Sequence, residues 1–392
     1  MFKRRIADIV SSRIGEPRRM MQVVAGPRQV GKTFAVKQAL KEYSEGFTYR
    51  LAEGLSVSPL TWLESEWNTA RMQARSKGGH LLVIDEIHKI KGWSDLVKRL
   101  WDEDSFNDVP LKVLLLGSSR LLLQQGLAES LEGRFELLEA RHWSFAEMRD
   151  AFGFTVDDYV AFGAYPGAAA FKGDEARWRG YIRDSIIEPS IAKDILQMEN
   201  IAKPALLRQV FALGCRYSAR ILSYQKMLGQ LQDAGNATTL AHYLHLLGEA
   251  GLVKGLDKFY VEGVRQKASS PKLAVCNNAL MTAMAPYGLA ELRTRPDIWG
   301  HVVESAVGAH LLATAEGGVD VMYWNEGGKE VDYVLRKGDS LAALEVKTGN
   351  LDDISGMKAF LAKYPHAKPY LIGSPGMSFD DFFLRTASDF LE

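Results

Sequence analysis

The sequence lacks most features of secreted, disulfide-stabilised or membrane-spanning proteins. Its 392 residues include only two cysteines, Cys215 and Cys276, which lie in apolar segments and match no metal-ligand spacing. We expect two buried thiols and no disulfide, as in a reducing compartment. No segment approaches the length of a membrane span, and no apolar stretch follows the basic residues near Met1. These absences predict a cytoplasmic protein with no membrane partner.

The chain also lacks an excess of charge of either sign. Lys plus Arg and Asp plus Glu both number 48, so the formal net charge is zero. Such a chain has no global field that would draw it to nucleic acid, and any binding of nucleic acid must use local patches. With 47% hydrophobic and 24% charged residues, the composition is that of a folded chain with room for two to four domains.

Near its start the sequence contains a pattern typical of phosphate binding. Residues 26–33 follow G-x-x-x-x-G-K-T, directly after the apolar run Met21–Ala25 and ahead of a helical pattern. Glycines let main-chain N–H groups close around phosphates, while Lys32 supplies a positive charge and Thr33 a hydroxyl ligand for Mg²⁺. The pattern predicts binding of ATP or another nucleoside triphosphate. The predicted nucleotide-binding residues are Gly26, Pro27, Arg28, Gln29, Val30, Gly31, Lys32, Thr33 and Phe34.

A second segment supports this prediction. Residues 81–84 are apolar and precede Asp85 and Glu86, which is typical of a buried parallel strand that ends in two acids. Because the carboxyl ends of the strands line the ligand crevice in open α/β sheets, we expect Asp85 to reach Mg²⁺ and Glu86 to polarise the attacking water. Taken alone, the segment could equally be a strand that ends in solvated acids.

Alternating strand-like and helical patterns from residue 20 to 143 predict a three-layer α/β domain. The predicted strands are Met21–Ala25, Phe47–Leu51, 81–84 and 112–116. An extra strand between the first and the acidic strand would separate the two in the sheet, as in ATPases with a catalytic glutamate. The last strand runs into Ser118, which we expect to face the γ-phosphate unless the segment is a simple Gly-Ser turn.

The middle of the chain is helical in pattern. Residues 144–200 predict a lid or connector, and helices at 223–232 and 238–249 precede short apolar segments at 252–253 and 259–261. Helix, glycine-bearing turn, helix and β-wing predict a winged helix-turn-helix. The candidate DNA contacts are Thr238, Thr239, His242, Lys254 and Lys258. Because a dense basic face is lacking, a winged helix that contacts protein stays as the alternative.

The last part of the chain has its own order of elements. The pattern predicts a helix at 298–313, strands at 319–324, 330–335 and 341–347, a helix at 353–364 and a strand at 369–372. The order α-β-β-β-α-β is thus expected after a linker that ends at Pro271.

Charged residues on two of these strands form a second candidate site. The period of two places Asp332 on one strand where it can meet Glu345 and Lys347 on the next. We expect Asp332 and Glu345 to hold Mg²⁺, Lys347 to orient a water or offset phosphate charge, and Glu304 on the preceding helix to add a fourth group. The alternative is a set of charged residues on the solvent face of a meander.

Together these motifs resemble bacterial and archaeal AAA-type ATPases that carry a C-terminal DUF4143 region. The matching segments, spread over nearly the whole chain, are GPRQVGKT at Gly26, LLVIDEIHKI at Leu81, LLLGSSR at Leu114, SLEGR ending at Arg134, PGAAA after Tyr165, SSPKLAV at Ser269, VDYVL at Val331 and EVKTG at Glu345. The resemblance implies an arginine-finger or sensor role for Arg134. It also implies a PD-(D/E)xK nuclease fold at the C-terminus, with Asp332, Glu345 and Lys347 as its triad. The segment after Pro271 departs from the family, which more often has an aromatic pair and an aspartate before Gly-Leu.

We therefore predict an α/β multidomain chain. Its predicted parts are a P-loop AAA-type ATPase core at 1–143, a helical lid at 144–200, a winged helix-turn-helix at 201–265 and a restriction-endonuclease-like α/β domain at 270–392. The predicted function is ATP hydrolysis, with Mg²⁺, coupled to binding or remodelling of DNA by a homo-oligomer. Two alternatives stay open: a switch ATPase that acts on protein partners through an inactive nuclease-like domain, and an ATP-gated DNA nuclease.

Overall fold

The computed structural model describes residues 2–56, 58–117, 130–196, 201–233, 235–260, 269–349, 354–374 and 376–392. The chain divides into two units, Met1–Arg141 and His142–Glu392, and each buries its own apolar side chains. Across these described ranges, no helix combines the length and the apolarity that crossing a bilayer requires. Cys215 and Cys276 are both buried free thiols, as expected.

The first unit is built on a five-stranded parallel sheet. Its strands are β1 (Met21–Ala25), β2 (Phe47–Leu51), β3 (His80–Asp85), β4 (Leu111–Gly117) and β5 (Phe135–Glu139). They lie in the order β2-β3-β4-β1-β5, so β4 separates β1 from β3, as the sequence predicted. β1 and β3 are buried at every position because helices cover both faces of the sheet. The sequence analysis missed β5, whose polar and apolar residues are those of an edge strand.

Helices on both faces complete the three layers predicted for this unit. The helices are Arg5–Gly15, Lys32–Lys41, Pro59–Lys77 and Trp93–Phe106, with a short 3-10 helix at Ile87–Lys89. Neighbouring residues of β1 point into different cores. Val23 packs in the cluster that contains Trp67, whereas Val24 packs in the cluster that contains Val10 and Val36.

The second unit begins with helical segments. They are the helices Phe145–Phe152, Val156–Phe162, Glu175–Tyr181, Pro204–Arg216, Tyr224–Leu228, Ala237–Glu249, Asn278–Met284 and Leu289–Arg293, the 3-10 helix Pro166–Phe171, and the π-helical stretches Ile182–Ile187 and Ser190–Leu196. Ser144 and Thr155 each open a helix with a capping box, which satisfies N–H groups that the first turn leaves unpaired.

A small antiparallel sheet follows helix Ala237–Glu249, but its pairing differs from the predicted one. Strand β6 (Val253–Leu256) pairs with β7 (Lys272–Val275), whereas the predicted partner was the segment that begins at Phe259. The Phe259 N–H donates to the Tyr323 carbonyl oxygen at 2.7 Å. The Phe259 ring packs on the rings of Phe360 and Tyr364, so this aromatic residue finds its core in the C-terminal sheet. Val261 lies outside the described residues.

The C-terminal elements have the predicted order α-β-β-β-α-β. They are helix Pro296–Thr314, β8 (Asp320–Glu326), β9 (Lys329–Lys337), β10 (Ser340–Lys347), helix Ser355–Lys363 and β11 (Lys368–Gly373), followed by helix Phe379–Phe383 and the 3-10 helix Ala387–Phe390. The sheet order is β11-β10-β9-β8. β8, β9 and β10 are antiparallel neighbours, while β11 is parallel to β10.

One residue of this core carries a titratable group with no exposure to solvent. His310 lies on helix Pro296–Thr314, and its Nε2 is 2.8 Å from the Arg385 carbonyl oxygen. Its Nδ1 lies 3.3 Å from the Tyr159 hydroxyl. Burial lowers the pKa of His310 to about 4, although the Arg385 carbonyl acts in the opposite direction.

We expect His310 to make the chain less stable as pH falls from about 6.5 to about 4. In the unfolded chain His310 binds a proton near pH 6.5, but in the folded chain it does so only near pH 4. The free energy of unfolding at pH 5 should therefore be about 2 kcal/mol lower than at neutral pH because of this residue. Urea unfolding at pH 7.5 and pH 5 should show this extra loss in the wild type but not in His310→Gln. The exposed His366, changed to Gln, serves as control, and equal losses in all three proteins would contradict the assignment.

Candidate nucleotide site and acidic cleft

The predicted phosphate loop lies between β1 and helix Lys32–Lys41. Gly31 has a φ of 87°, in the left-handed region that favours glycine. A side chain on Gly26 would collide with the Ala140 carbonyl oxygen, so the loop begins at a position that only glycine fills. Phe34, the last predicted residue, is 41% exposed at the start of the helix. The helix N-terminus and the preceding loop thus present main-chain N–H groups together.

Two basic side chains hold this loop. The Lys32 amine donates to the Gly26 carbonyl at 2.8 Å and to the Pro27 carbonyl at 2.6 Å, so it lies across the loop. The buried Arg4 guanidinium donates to the Val30 carbonyl at 2.8 Å and to the Arg141 carbonyl at 3.2 Å. Arg4 therefore fixes both the loop and the last residue of the first unit.

The acidic strand meets the loop through a direct hydrogen bond. The Thr33 hydroxyl donates to Asp85 Oδ2 at 2.9 Å, although β4 separates their strands in the sheet. The Tyr49 hydroxyl, from β2, donates to the same oxygen. The other oxygen, Oδ1, accepts the Glu86 N–H at 2.9 Å. Burial, followed by the hydrogen bond to Asp85, raises the pKa of Tyr49, which keeps its hydroxyl a donor.

Glu86 follows Asp85 in a backbone conformation that is unusual for a residue with a side chain. Its φ is 58°, in the left-handed region, which costs about 1 kcal/mol for a non-glycine residue. Its carboxylate oxygen Oε2 lies 3.4 Å from His88 Nε2 and 3.7 Å from the Lys89 amine. Glu86 directly follows the carboxyl end of β3, at the end of the sheet where the loop also lies.

The donors at this edge fit Mg²⁺. A hydroxyl and a carboxylate are the hard oxygen ligands that this ion prefers, and Thr33 and Asp85 are already within hydrogen-bond distance of each other. These two residues would hold the ion, which would offset phosphate charge when bound. Ser118 lies outside the described residues, so its predicted place near the γ-phosphate stays a prediction.

Arg134 lies at the amino ends of the strands, whereas the loop of the same chain lies at their carboxyl ends. It directly precedes β5, and its carbonyl accepts the N–H of Met21 at the amino end of β1. The loop follows the carboxyl end of β1, and five residues of strand span about 16 Å. The guanidinium forms a two-pronged pair with Asp102, at 2.7 and 3.0 Å, and this hydrogen bonding lowers the pKa of Asp102.

The second predicted site forms an open cleft of about 980 Å³ in the second unit. Glu345 and Lys347 lie on one face of β10, with the Lys347 amine 2.8 Å from Glu345 Oε1. Asp332 Oδ2 accepts the Val346 N–H at 2.8 Å, and Glu304 joins from helix Pro296–Thr314. The structure thus gathers the four side chains that the sequence proposed.

A fifth residue, Lys272, lies among these acids. It is the first residue of β7, and no part of its side chain is exposed. Its amine is 2.9 Å from Glu304 Oε1, 3.1 Å from Glu330 Oε1 and 3.5 Å from Asp332 Oδ1. The acids are therefore not on the solvent face of a meander: they surround a buried ammonium.

Burial and charge shift the pKa values of this cluster in different directions. Burial acts to lower the pKa of Lys272, but Asp332 and Glu304 hold it well above its ordinary value. Burial acts to raise the pKa of Glu304, but Lys272 outweighs it and holds the value at about 2. For Asp332, burial with the charges of Glu304 and Glu345 raises the pKa to about 7 against the effect of Lys272. Burial also raises the pKa of Glu345.

The residues predicted to contact DNA lie on or near helix Ala237–Glu249. Asn236 caps this helix by accepting the Thr239 N–H at 2.9 Å. Thr238 and His242 are exposed, and so is Lys254 on β6. Lys258 is partly buried, and its amine lies 4.7 Å from the centre of the Tyr260 ring.

Sequence reasoning missed Lys272 and Tyr49. Lys272 stands between Pro271 and three apolar residues, and a lone lysine in a buried strand pattern is the signal that could have found it. Tyr49 belongs to the F-T-Y-R-L run of β2, which reads as an ordinary strand. Only the pairing of β2 with β3 shows that its hydroxyl can reach Asp85.

Comparison with known families agrees with the first site. Residues 18–149 match the family AAA_14, described as an AAA domain. Residues 154–291 match DUF8612 and residues 299–379 match DUF4143, both described as domains of unknown function. The chain therefore contains an AAA domain and, C-terminal to it, a DUF4143 region. The nuclease-like character of that region stays a prediction.

The chain is also similar to three curated proteins that are described as uncharacterized. Rv2008c of Mycobacterium tuberculosis and Mb2031c of Mycobacterium bovis are 26% identical over 261 residues, which cover 66% of this chain and 54% of each relative. MJ1544 of Methanocaldococcus jannaschii is 22% identical over 259 residues, 61% of this chain and 57% of the relative. The chain thus spans a little more than half the length of these relatives.

Solved structures show weaker similarity. The Walker-type ATPase PABY2304 of Pyrococcus abyssi aligns with a TM-score of 0.48 and 14% identity over 72% of this chain and 96% of that chain. The RuvB Holliday junction branch migration motor of Thermotoga maritima aligns with a TM-score of 0.32 and 15% identity over 67% and 91%. Scores of this size carry no argument about what the chain binds.

The position of Arg134 predicts that any role it has in ATP hydrolysis is served on a neighbouring copy of the chain. Arg134→Ala and Lys32→Ala should each lower the ATPase rate at least about 100-fold when assayed alone. An equimolar mixture should recover about one quarter of the wild-type rate, because one interface in four joins an intact loop to an intact arginine. The measurement is steady-state phosphate release after subunit exchange.

Asp102→Asn is the matched control for a structural role. If Arg134 acts only through its pair with Asp102, Asp102→Asn should reproduce the loss seen in Arg134→Ala. A mixture no more active than the sum of its two parts would contradict the role in trans.

Proposed function

We propose that the chain binds ATP with Mg²⁺ at residues 26–33 and hydrolyses it. The observation that carries this proposal is the hydrogen bond from Thr33 to Asp85, which joins the phosphate loop to the acidic strand across β4. Main-chain N–H groups of the loop and the Lys32 amine would bind the phosphates. Glu86, on its left-handed turn beside Asp85, would orient the attacking water and accept its proton.

Tyr49 has a positioning role in this proposal. Its hydroxyl donates to the Asp85 oxygen that also accepts from Thr33, so it restrains the carboxylate from the side of β2. The second oxygen of Asp85 is held by the Glu86 N–H. Both oxygens of Asp85 are thus fixed, and the direction of the carboxylate is set before a substrate arrives.

We expect two variants to separate binding from hydrolysis. Lys32→Ala removes the charge that binds the phosphates and should abolish measurable ATP affinity, whereas Glu86→Gln should keep affinity within a few-fold and lower turnover at least about 100-fold. Calorimetry with ATP and Mg²⁺ reports binding, and phosphate release reports turnover. Glu42→Gln, an exposed acid of the same unit, is the control. Near wild-type turnover in either variant would contradict these roles.

We further propose that the second unit binds DNA through helix Ala237–Glu249. Three features support this: the Asn236 cap, the exposed Thr238 and His242 on the first turns, and the exposed Lys254 on the strand that follows. Helices Pro204–Arg216, Tyr224–Leu228 and Ala237–Glu249 with β6 and β7 have the order of a winged helix-turn-helix, whose second strand is Lys272–Val275. In this proposal the chain works as a homo-oligomer that couples ATP turnover to DNA binding or remodelling.

Because this surface carries few basic residues, its affinity for DNA should depend strongly on each of them. The double variant His242→Ala with Lys254→Ala should weaken DNA binding about tenfold or more at low salt, because phosphate contacts dominate the affinity. Fluorescence anisotropy with duplex, single-stranded and branched DNA measures it. Lys329→Ala, which removes an exposed lysine at the start of β9, should leave affinity unchanged. An equal effect of both changes, or no DNA binding by the wild type, favours a protein partner instead.

A further inference from the structure

The acidic cleft gathers several negative charges that need a positive charge to offset them. Four carboxylates, those of Glu304, Glu330, Asp332 and Glu345, line it, and burial alone would oppose so many negative charges. Nuclease sites of this kind offset such charge with a divalent cation. In this chain a buried amine lies at the place where the carboxylates converge.

We infer that Lys272 is a built-in counter-ion that takes the place of a divalent cation in the cluster of Glu304, Asp332 and Glu345. The folded chain therefore binds no Mg²⁺ or Mn²⁺ in the cleft. The inference is independent of ATP hydrolysis at the first site.

The distances around Lys272 support this assignment. Its amine contacts Glu304, Glu330 and Asp332 at 2.9, 3.1 and 3.5 Å. A second, divalent cation would need the same carboxylate oxygens at about 2.0 to 2.6 Å, next to a fully buried positive charge. The repulsion between the two cations in a buried setting disfavours joint occupancy. Over the described part of the chain, no three His, Cys, Asp or Glu side chains are arranged to hold a metal ion.

The remaining carboxylate oxygens of the cluster are also largely occupied. Asp332 Oδ2 accepts from the Val346 N–H, and Glu345 Oε1 accepts from Lys347. Glu345 Oε2 is buried and, among the described residues, has no hydrogen-bond partner. This oxygen is the ligand that a cation would gain once the ammonium of Lys272 is removed.

Strand pairing fixes the backbone position of Lys272 beside the acids. It begins β7, where it pairs with Leu256 of β6 and bridges to Ile221. Its side chain runs past the Tyr333 ring, whose centre is 5.0 Å from the amine. The positive charge thus comes from the β6–β7 sheet, and two of the acids that contact it come from β9 of the C-terminal sheet.

The test removes the ammonium and asks whether a metal site appears. Lys272→Met keeps the length of the side chain without its charge, and Lys347→Met removes the other amine as a matched control. Mn²⁺ titration of the nucleotide-free proteins, followed by electron paramagnetic resonance, counts bound ions. Any Mn²⁺ held by Thr33 and Asp85 is common to all variants, so differences report the cleft.

We expect Lys272→Met to gain one Mn²⁺ site at least tenfold tighter than any in the cleft of the wild type. The double variant Lys272→Met with Glu345→Gln should lose it. Lys272→Met should also melt below the wild type, and Mn²⁺ should raise its melting temperature by several degrees more than it raises that of the wild type. Lys347→Met should gain no site. Failure of folded Lys272→Met to gain a site overturns the inference.

A second experiment keeps Lys272 in place and therefore does not depend on how Lys272→Met folds. Glu345→Gln and Asp332→Asn should leave Mn²⁺ binding by the chain unchanged. If either change removes a bound Mn²⁺, or removes a Mg²⁺-dependent cutting of DNA by the wild type, Lys272 does not replace the metal and the inference is wrong.

Discussion

The parallel direction of the strands is the constraint on which the first unit depends. Parallel strands bring all their carboxyl ends to one edge, so the loop after β1 and the acid at the end of β3 meet there. The same direction sends Arg134, at the amino end of β5, to the other edge. The loop and this arginine of one chain therefore lie at opposite ends of the strands, so a joint role for them in the proposed ATP hydrolysis would need a second copy of the chain.

In the second unit the central feature is a set of carboxylates around one buried ammonium. Its mixed sheet gathers acids from β9, β10 and helix Pro296–Thr314 into one cleft. Burial favours the protonated form of a carboxylate in such a place, and it raises the pKa of Asp332, whose Oδ1 lies 3.5 Å from the Lys272 amine, to about 7. Glu304, at 2.9 Å from the same amine, stays ionised. Burial, the Lys272 ammonium and the neighbouring carboxylates together thus shift the pKa values of Glu304 and Asp332 in opposite directions.

Local patterns were enough to predict the phosphate loop, the acidic strand and the three-layer arrangement, because each is encoded by consecutive residues. The order of the C-terminal elements could be read for the same reason. Contacts between segments that are far apart in the chain could not be predicted from local patterns. Phe259 looked like the partner of β6, but packing against Phe360 draws it to another sheet. Lys272 looked like an interruption of an apolar strand until the acids around it were in place.

Arg4 gives the phosphate loop a mechanical connection to the rest of the chain. One guanidinium bonds the carbonyls of Val30, inside the loop, and of Arg141, where the chain leaves the first unit. The Ala140 carbonyl fills the space beside Gly26, and the Ala140 N–H bonds the Ala25 carbonyl at 2.8 Å. Displacement of the loop is therefore resisted by contacts with residues 140 and 141, the last two residues before the chain continues at His142.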